Sequence, residues 1–332
     1  MSKIRRLYYF DKKNAQEMVA FLNNSGDFAN RIMFNPLLPL HHLIPLRFKT
    51  LPESYIMKDG KNIKGIITVA PTKNPLKQME IQKLLFEENC YEDAGELVQF
   101  AVSKYKAKGT ASIIVRIDDY LPELIKLFIS RCGFSQISYE KLWYIKNPDS
   151  DNFDKNSFRE FRNSDSAAVA NLYNDSLLPH FRPLLSKDFK EFKERFFKGL
   201  SYYSEYKYVI KDKSSKNIAG YISIKTSDNE NYLVDFLLDS WTNIETDEII
   251  AFANDKISKR KKNFNLFVKT KKYTQNGAKY EEEFLGKNYT CVQNQVVLTN
   301  SSARVIKEAE HTGKFTVLGQ FYGMNGANVN LS

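Results

Sequence analysis

The sequence has little cysteine: Cys90, Cys132 and Cys291 are the three in 332 residues, with no CxxC pair and no Cys/His cluster. That excludes a disulfide framework and leaves no ligand set for a structural zinc. The expected setting is a reducing cytoplasm, with the thiols buried as small hydrophobes. Long apolar runs are missing as well. No stretch of about 18 uncharged apolar residues occurs, which excludes a membrane-spanning helix. The basic start MSKIRRLYYFDKKN has no apolar segment behind it, so no secretory signal is expected. Glycine (14) and proline (10) are sparse, as in an ordinary globular chain.

What is present is charge and aromatic surface. The length allows about two domains of ordinary size. The net charge is +10, and such an excess can reflect a polyanionic partner. Lysine is spread along the chain among Glu and Asp, however, and the dense runs are confined to Lys259-Arg260-Lys261-Lys262 and Lys269-Thr270-Lys271-Lys272. This pattern reads as solvated surface, and nucleic acid is not the expected partner.

The sequence repeats internally. KDGKNIKGIITVA (58–70) matches KDKSSKNIAGYISIKT (211–226), each a polar turn followed by an apolar run holding Gly65 or Gly220. With strands upstream at 55–57 and 206–210, both read as β-hairpins. Amphipathic helices are expected at 94–106 and 246–260, then strands SIIVRIDDY (112–120) and NLFVKTKKY (265–273). A second helix follows in each copy, 121–130 and 278–285. Then come Arg131-Cys132-Gly133-Phe134 or Gly286-Lys287-Asn288-Tyr289, and closing strands at 139–145 and 291–298. The loops Leu37-Leu38-Pro39 near His41 and Leu177-Leu178-Pro179 beside His180 share a theme. Residues 147–156, polar with one proline, form the natural linker. The expected domains are 1–147 and 157–300, with 301–332 a short helix and a polar Gly/Asn-rich tail. FRPLLSKDFKEFKERFF (181–197) is expected to be a helix whose phenylalanines cover a groove or a domain interface.

Three hairpin-type strands, the third at 79–86 or 232–238, followed by alternating helices and strands imply a mixed sheet with helices on both faces. At this point the chain resembles the GNAT (GCN5-related N-acetyltransferase) superfamily. The likeness is carried by EIQKLLFEENCYEDAGELVQF (80–100) and by IIVRIDDYLPELIKLFISRCGFSQISYEKLWYI (113–145), and more weakly by the second copy. It implies an α/β (α+β) fold of two tandem acyl-CoA N-acyltransferase-like domains. It also implies a splay between the fourth and fifth strands that receives the pantetheine arm of acetyl-CoA. The pyrophosphate would rest on N–H groups at the start of the next helix.

On this likeness, Leu84, Leu85, Phe86, Tyr91, Ala94 and Gly95 are the expected cofactor-binding residues, in the better-preserved first copy. Glu87 and Glu88 at the end of the fourth strand, with His41 from a covering loop, are the expected catalytic groups. No metal is expected. The family's phosphate-binding glycines are reduced to Ala94-Gly95 in one copy and lost in the other (241–247). The region of the last helix where many members carry a proton-donating tyrosine offers Phe128 and Ile129, or Phe284. Three functions follow: an acyl-CoA-dependent N-acyltransferase, acting on a small-molecule or peptide amine; a non-catalytic GNAT-like binding module; or a tandem acyltransferase fed by aminoacyl-tRNA. No membrane partner is expected, and the oligomeric state is left open.

Overall fold

The computed structural model of the chain describes residues 3–11, 14, 52–60, 62–71, 78–87, 90–146, 148, 153–194, 203–212, 217–240, 242 and 244–301. In the first half, alternating or continuous apolar runs form β1 (Lys3–Arg6), β2 (Glu53–Asp59), β3 (Asn62–Pro71) and β4 (Gln78–Phe86). Helix α1 (Tyr91–Lys106) buries Leu97, Val98, Ala101 and Tyr105 along one stripe, as its 3.6-residue spacing requires. Strand β5 (Ser112–Asp118), helix α2 (Pro122–Ser130) and strand β6 (Ser135–Ile145) follow. Pro122 stands in the first turn of α2, where its missing N–H costs nothing.

The second half repeats that order. It consists of β7 (Phe158–Glu160), α3 (Ser166–Ser176), the single turn α4 (Arg182–Leu185), β8 (Ser204–Lys211), β9 (Ile218–Thr226) and β10 (Asn231–Leu238). Then come α5 (Thr246–Ser258), β11 (Asn265–Lys271), α6 (Gly277–Gly286) and β12 (Thr290–Ser301). The exits of α2 and α6 show why the repeat survives a change of residue. Gly133 takes φ +68° after α2, and Asn288 takes φ +57° after α6. Asparagine is among the few residues that adopt this left-handed conformation readily. Phe134 and Tyr289 then meet Phe128 and Phe284 edge-on, at 5.0 and 5.6 Å.

Among the described residues, twelve strands form one sheet, ordered β1-β2-β3-β4-β5-β12-β6-β11-β10-β9-β8-β7. The closing strands are exchanged. β12 lies antiparallel to β5 of the first half, and β6 lies antiparallel to β11 of the second. The two exchanged strands also pair with each other, from Thr290↔Tyr144 to Thr299↔Ser135. Side chains fix this choice. Trp143 of β6 enters the second core, edge-on to Phe284 at 5.7 Å, and its Nε1 donates to Thr270 Oγ1 at 2.9 Å. Val296 and Leu298 of β12 enter the first core, and Asn300 Nδ2 donates to the carbonyls of Cys132 and Gly133 (2.9 and 3.0 Å). Each half thus closes its sheet with a strand made by the other, across the 147–156 boundary read from the sequence.

Helices α1 and α2 cover one face of the first half, and α5 and α6 cover the same face of the second. The opposite face carries α3, α4 and the segments around them. There the expected helix over 181–197 is broken. Pro179–Phe181 is a 3-10 turn, α4 stops at Leu185, and Asp188 caps a fresh 3-10 turn, Phe189–Glu191, by accepting from Lys190 N. A side-chain oxygen that satisfies the backbone locally competes with helix continuation. Phe181 and Phe192 are buried, Phe189 is exposed, and Phe196 and Phe197 lie outside the described residues. Of the thiols expected in the core, Cys132 is buried, but Cys90 is half-buried and Cys291 exposed. The tail beyond Ser301 lies outside the described residues. No helix among the described residues is long and apolar enough to cross a membrane.

The exchange makes the halves interdependent. The whole chain is expected to unfold in one transition, with tryptophan fluorescence and far-UV circular dichroism superimposed. A chain ended at residue 147 keeps β5 but lacks β12, and is expected to show no cooperative transition. Two separate transitions in the whole chain, or a cooperatively folded fragment, would contradict the exchange.

Candidate active site

In the first half, β4 and β5 share four register pairs, Gln78↔Ser112 to Ile81↔Val115. β4 then runs on to Phe86 without β5, and a bulge at Gln82, between Thr68↔Lys83 and Val69↔Ile81, marks where it turns away. The expected splay is therefore present. Leu84, Leu85 and Phe86 are half-buried on the parted segment, and the Phe86 ring meets Tyr91 at 5.4 Å at the start of α1. Among the described residues no side chain caps that start, which leaves its first N–H groups available to an anion.

Glu87 lies at the same mouth, exposed and paired with Lys64 Nζ at 2.9 Å. Ala94 and Gly95 lie elsewhere. Both are buried on the packed side of α1, and a Cβ on Gly95 would stand 3.3 Å from Leu127 Cδ1 of α2. Glu88 and His41 lie outside the described residues.

In the second half, β10 and β11 share five pairs, Asn231↔Asn265 to Asp235↔Lys269, and Phe236–Leu238 continue without β11, paired only with β9. A cavity of about 740 Å³ passes through the sheet at this point. Phe236, Leu238, Thr270 and Tyr280 line it toward α5 and α6; Leu237, Lys269, Lys271 and residues of α3 line it on the other side. Leu177, the leucine of the repeated Leu-Leu-Pro theme, bridges Thr274, and this holds the end of α3 against the turn before α6.

Tyr280 is the group that sequence reasoning missed. It stands one helical turn before Phe284, the position inspected for a phenol, with its ring 5.0 Å from that of Phe236. Phe284 itself is fully buried in the second core. Burial pushes the Tyr280 phenol up to about 12, against a hydrogen bond with the Asn276 side chain, so the group is protonated at neutral pH. The spacing Asn276-x3-Tyr280 at the start of a helix was the available signal. Asp239 follows β10 as Glu87 follows β4, and it too lines the cavity.

The start of α5 differs from that of α1. Glu245 accepts from the N–H of Glu248, whose Oε1 accepts the Glu245 N–H at 3.4 Å, and Asp247 pairs with Lys287 at 2.5 Å. The helix caps itself with carboxylates where a diphosphate would need free N–H groups. The start of α5 is therefore less open to a diphosphate than that of α1. Among the described residues no three acidic, His or Cys side chains are grouped to hold a metal.

On the face under α3, a belt of charges crosses the sheet. Arg116 of β5 bridges Glu80 of β4 (2.6 Å) and Glu140 of β6 (2.9 Å). Glu140, 2 % exposed, also takes Lys269 Nζ at 3.0 Å and the Tyr273 hydroxyl at 2.8 Å. Lys271 pairs with Asp235 at 2.5 Å, and Lys207 with Glu205 at 3.4 Å. Lys269 and Lys271, read from the sequence as solvated surface, are thus committed across strands. Their alternation with Val268 and Thr270 turns them inward. Burial alone would raise the Glu140 carboxyl, but Arg116, Lys269 and Lys271 hold it well below the usual carboxylate range.

Glu140→Gln takes the counter-charge from half-buried Lys269 and one of the two from half-buried Arg116, and is expected to destabilise the chain by about 3 kcal/mol near neutral pH. The Glu140 contribution is complete above the unfolded carboxylate pKa of about 4.3, and it is lost as pH falls toward the lowered folded value. The gap in urea midpoint between wild type and variant should therefore be level from pH 5 to 8 and narrow in acid. Gly277→Ala is a second test. A Cβ there would lie 2.1 Å from the Lys271 carbonyl oxygen. The turn that aims Tyr280 would have to shift, and a lower melting temperature is expected.

No family model matches the sequence, and no curated protein matches it. Solved structures do. A tandem GNAT protein from the clavulanic acid biosynthesis pathway, solved without acetyl-CoA, superposes with a TM-score of 0.59 at 12% identity, over 92% of this chain and 99% of that one. A GCN5-related N-acetyltransferase from Sphaerobacter thermophilus gives 0.60 at 10% identity, over 90% and 95%. The chain has the tandem GNAT fold.

Proposed function

We propose that the protein is an acyl-CoA-dependent N-acyltransferase that passes an acyl group, acetyl in the simplest case, to an amine in the cavity of its second half. The observation that carries this reading is a phenol, Tyr280, on the wall of a cavity that opens where β10 leaves β11. A bound thioester would supply an activated acyl group. The chain supplies the rest. The unpartnered edge of Phe236–Leu238 offers backbone N–H and C=O groups to an amide-bearing arm laid alongside it, and donors to a developing oxyanion. Tyr280 holds a proton for a leaving group, and Asp239, on the opposite side of the parting, is placed to take one from the amine.

The same fold repeats these parts unevenly. The first half keeps an open helix start but has no phenol on α2; the second has the phenol and the cavity but a self-capped helix start. This favours the second half as the reaction site, with the thioester arm rather than the diphosphate providing affinity.

Calorimetry with acetyl-CoA and with S-acetylpantetheine tests this directly. The two are expected to bind within about tenfold of one another. Tyr280→Phe should leave both affinities unchanged and slow thiol release, with a panel of primary amines, by about a hundredfold. If neither thioester binds at millimolar concentration, the carboxylate-capped start of α5 marks a non-catalytic binding module instead.

A further inference from the structure

Among the described residues three cations line the cavity of the second half: Arg182, Lys269 and Lys271. Two of them are neutralised within the protein. Lys269 takes Glu140 at 3.0 Å, and Lys271 takes Asp235 at 2.5 Å. Arg182 has no carboxylate within ion-pair distance among the described residues. Its Nε donates to the Leu177 carbonyl and its Nη2 to the Asp175 carbonyl, both at 3.3 Å, and Nη1 is left over. Arg182 is exposed, and so is Asp175, whose carboxylate does not reach it.

The guanidinium is nevertheless fixed in place. Arg182 opens α4 and turns back onto the end of α3, where the last carbonyls have no partner within the helix. Neutral carbonyl groups orient a guanidinium without cancelling its charge, and its planar fork keeps donors to spare. The segment that delivers it is tied to the turn leading into Tyr280. Leu177 bridges Thr274, the Leu178 N–H donates to the Tyr273 carbonyl at 3.1 Å, and Gln275 Nε2 donates to the Asp175 carbonyl at 2.8 Å. One framework thus sets both Arg182 and the phenol.

The two stand on different faces of the sheet. Tyr280 belongs to the wall toward α5 and α6, whereas α4 packs with α3 on the other face. A thioester arm laid along Phe236–Leu238 fills the parting beside Tyr280, which leaves the α3 side for the acceptor. That side holds a guanidinium fork, matched in shape and charge to a carboxylate, and Asp239 lines the same cavity. We propose that Arg182 seats a carboxylate of the acceptor, so that the substrates are amines that also bear a carboxylate. This rests on the reading of the cavity as the site of acyl transfer. Amines without an anionic group leave Arg182 unpaired and should bind more weakly.

The test is calorimetric binding of the common amino acids and their C-terminal amides to the full chain, without any thioester. At least one acid is expected to bind about tenfold tighter than its amide, the scale of one charge-assisted contact. Arg182→Met should erase that preference, and Arg182→Lys should keep part of it. A residue that only closes the end of α3 would lower the melting temperature when replaced and leave the acid-to-amide ratio intact. A guanidinium that held a cofactor phosphate would, in Arg182→Met, cost affinity for acetyl-CoA but not for S-acetylpantetheine. Either of those results, equal binding of acids and amides, or no binding by any acid would overturn the assignment. The amino-acid titrations contain no thioester, so their outcome is independent of whether acetyl-CoA binds.

Discussion

The structure depends on the reciprocal exchange of β6 and β12. Either strand withdrawn would expose the edge of β5 or β11 and uncover a core: Val296 and Leu298 complete one, Trp143 and Ile145 the other. A single sheet twelve strands wide follows, with its two partings on either side of the exchanged pair. The belt from Glu80 through Arg116 and Glu140 to Lys269 crosses this junction and couples strands of both halves. Such a network is costly to desolvate, and its worth lies in fixing which strand stands where.

The exchange also positions the second parting. β11 is held straight by β6 on one side, so that β10 can leave it after Asp235 without loss of the sheet. The turn from β11 into α6 then delivers Asn276 and Tyr280 to the opening. In the first half the corresponding helix brings Leu124 and Ile125 against the core, and no phenol. In the two halves an uncapped helix start and a cavity-lining phenol stand on different units.

Much of the fold was legible in the sequence. Hairpins around the polar turns, the amphipathic stripes of α1 and α5 and the turns at Gly133 and Asn288 each depend on local pattern, and the repeat doubled every signal. The exchange was not legible. β6 and β12 carry similar apolar alternation, and nothing local says which neighbour each will choose; Trp143 against Phe284 decides it only in three dimensions.

The site was legible in part. The parted segment Leu84–Phe86, Glu87 and the start of α1 at Tyr91 lie together as the resemblance implied, whereas Ala94 and Gly95 serve helix packing. Tyr280 was not legible because it stands one helical turn before Phe284, the position the resemblance singles out, and belongs to no motif of its own. Lys269, Lys271 and Glu140 escaped because a charged residue in a strand reads as solvent-facing until its cross-strand partners are known. The most direct measurement is a crystal structure of the chain with a non-hydrolysable thioether analogue of acetyl-CoA. The account predicts the thioether between β10 and β11, beside Tyr280. Density confined to the gap between β4 and β5 would contradict it.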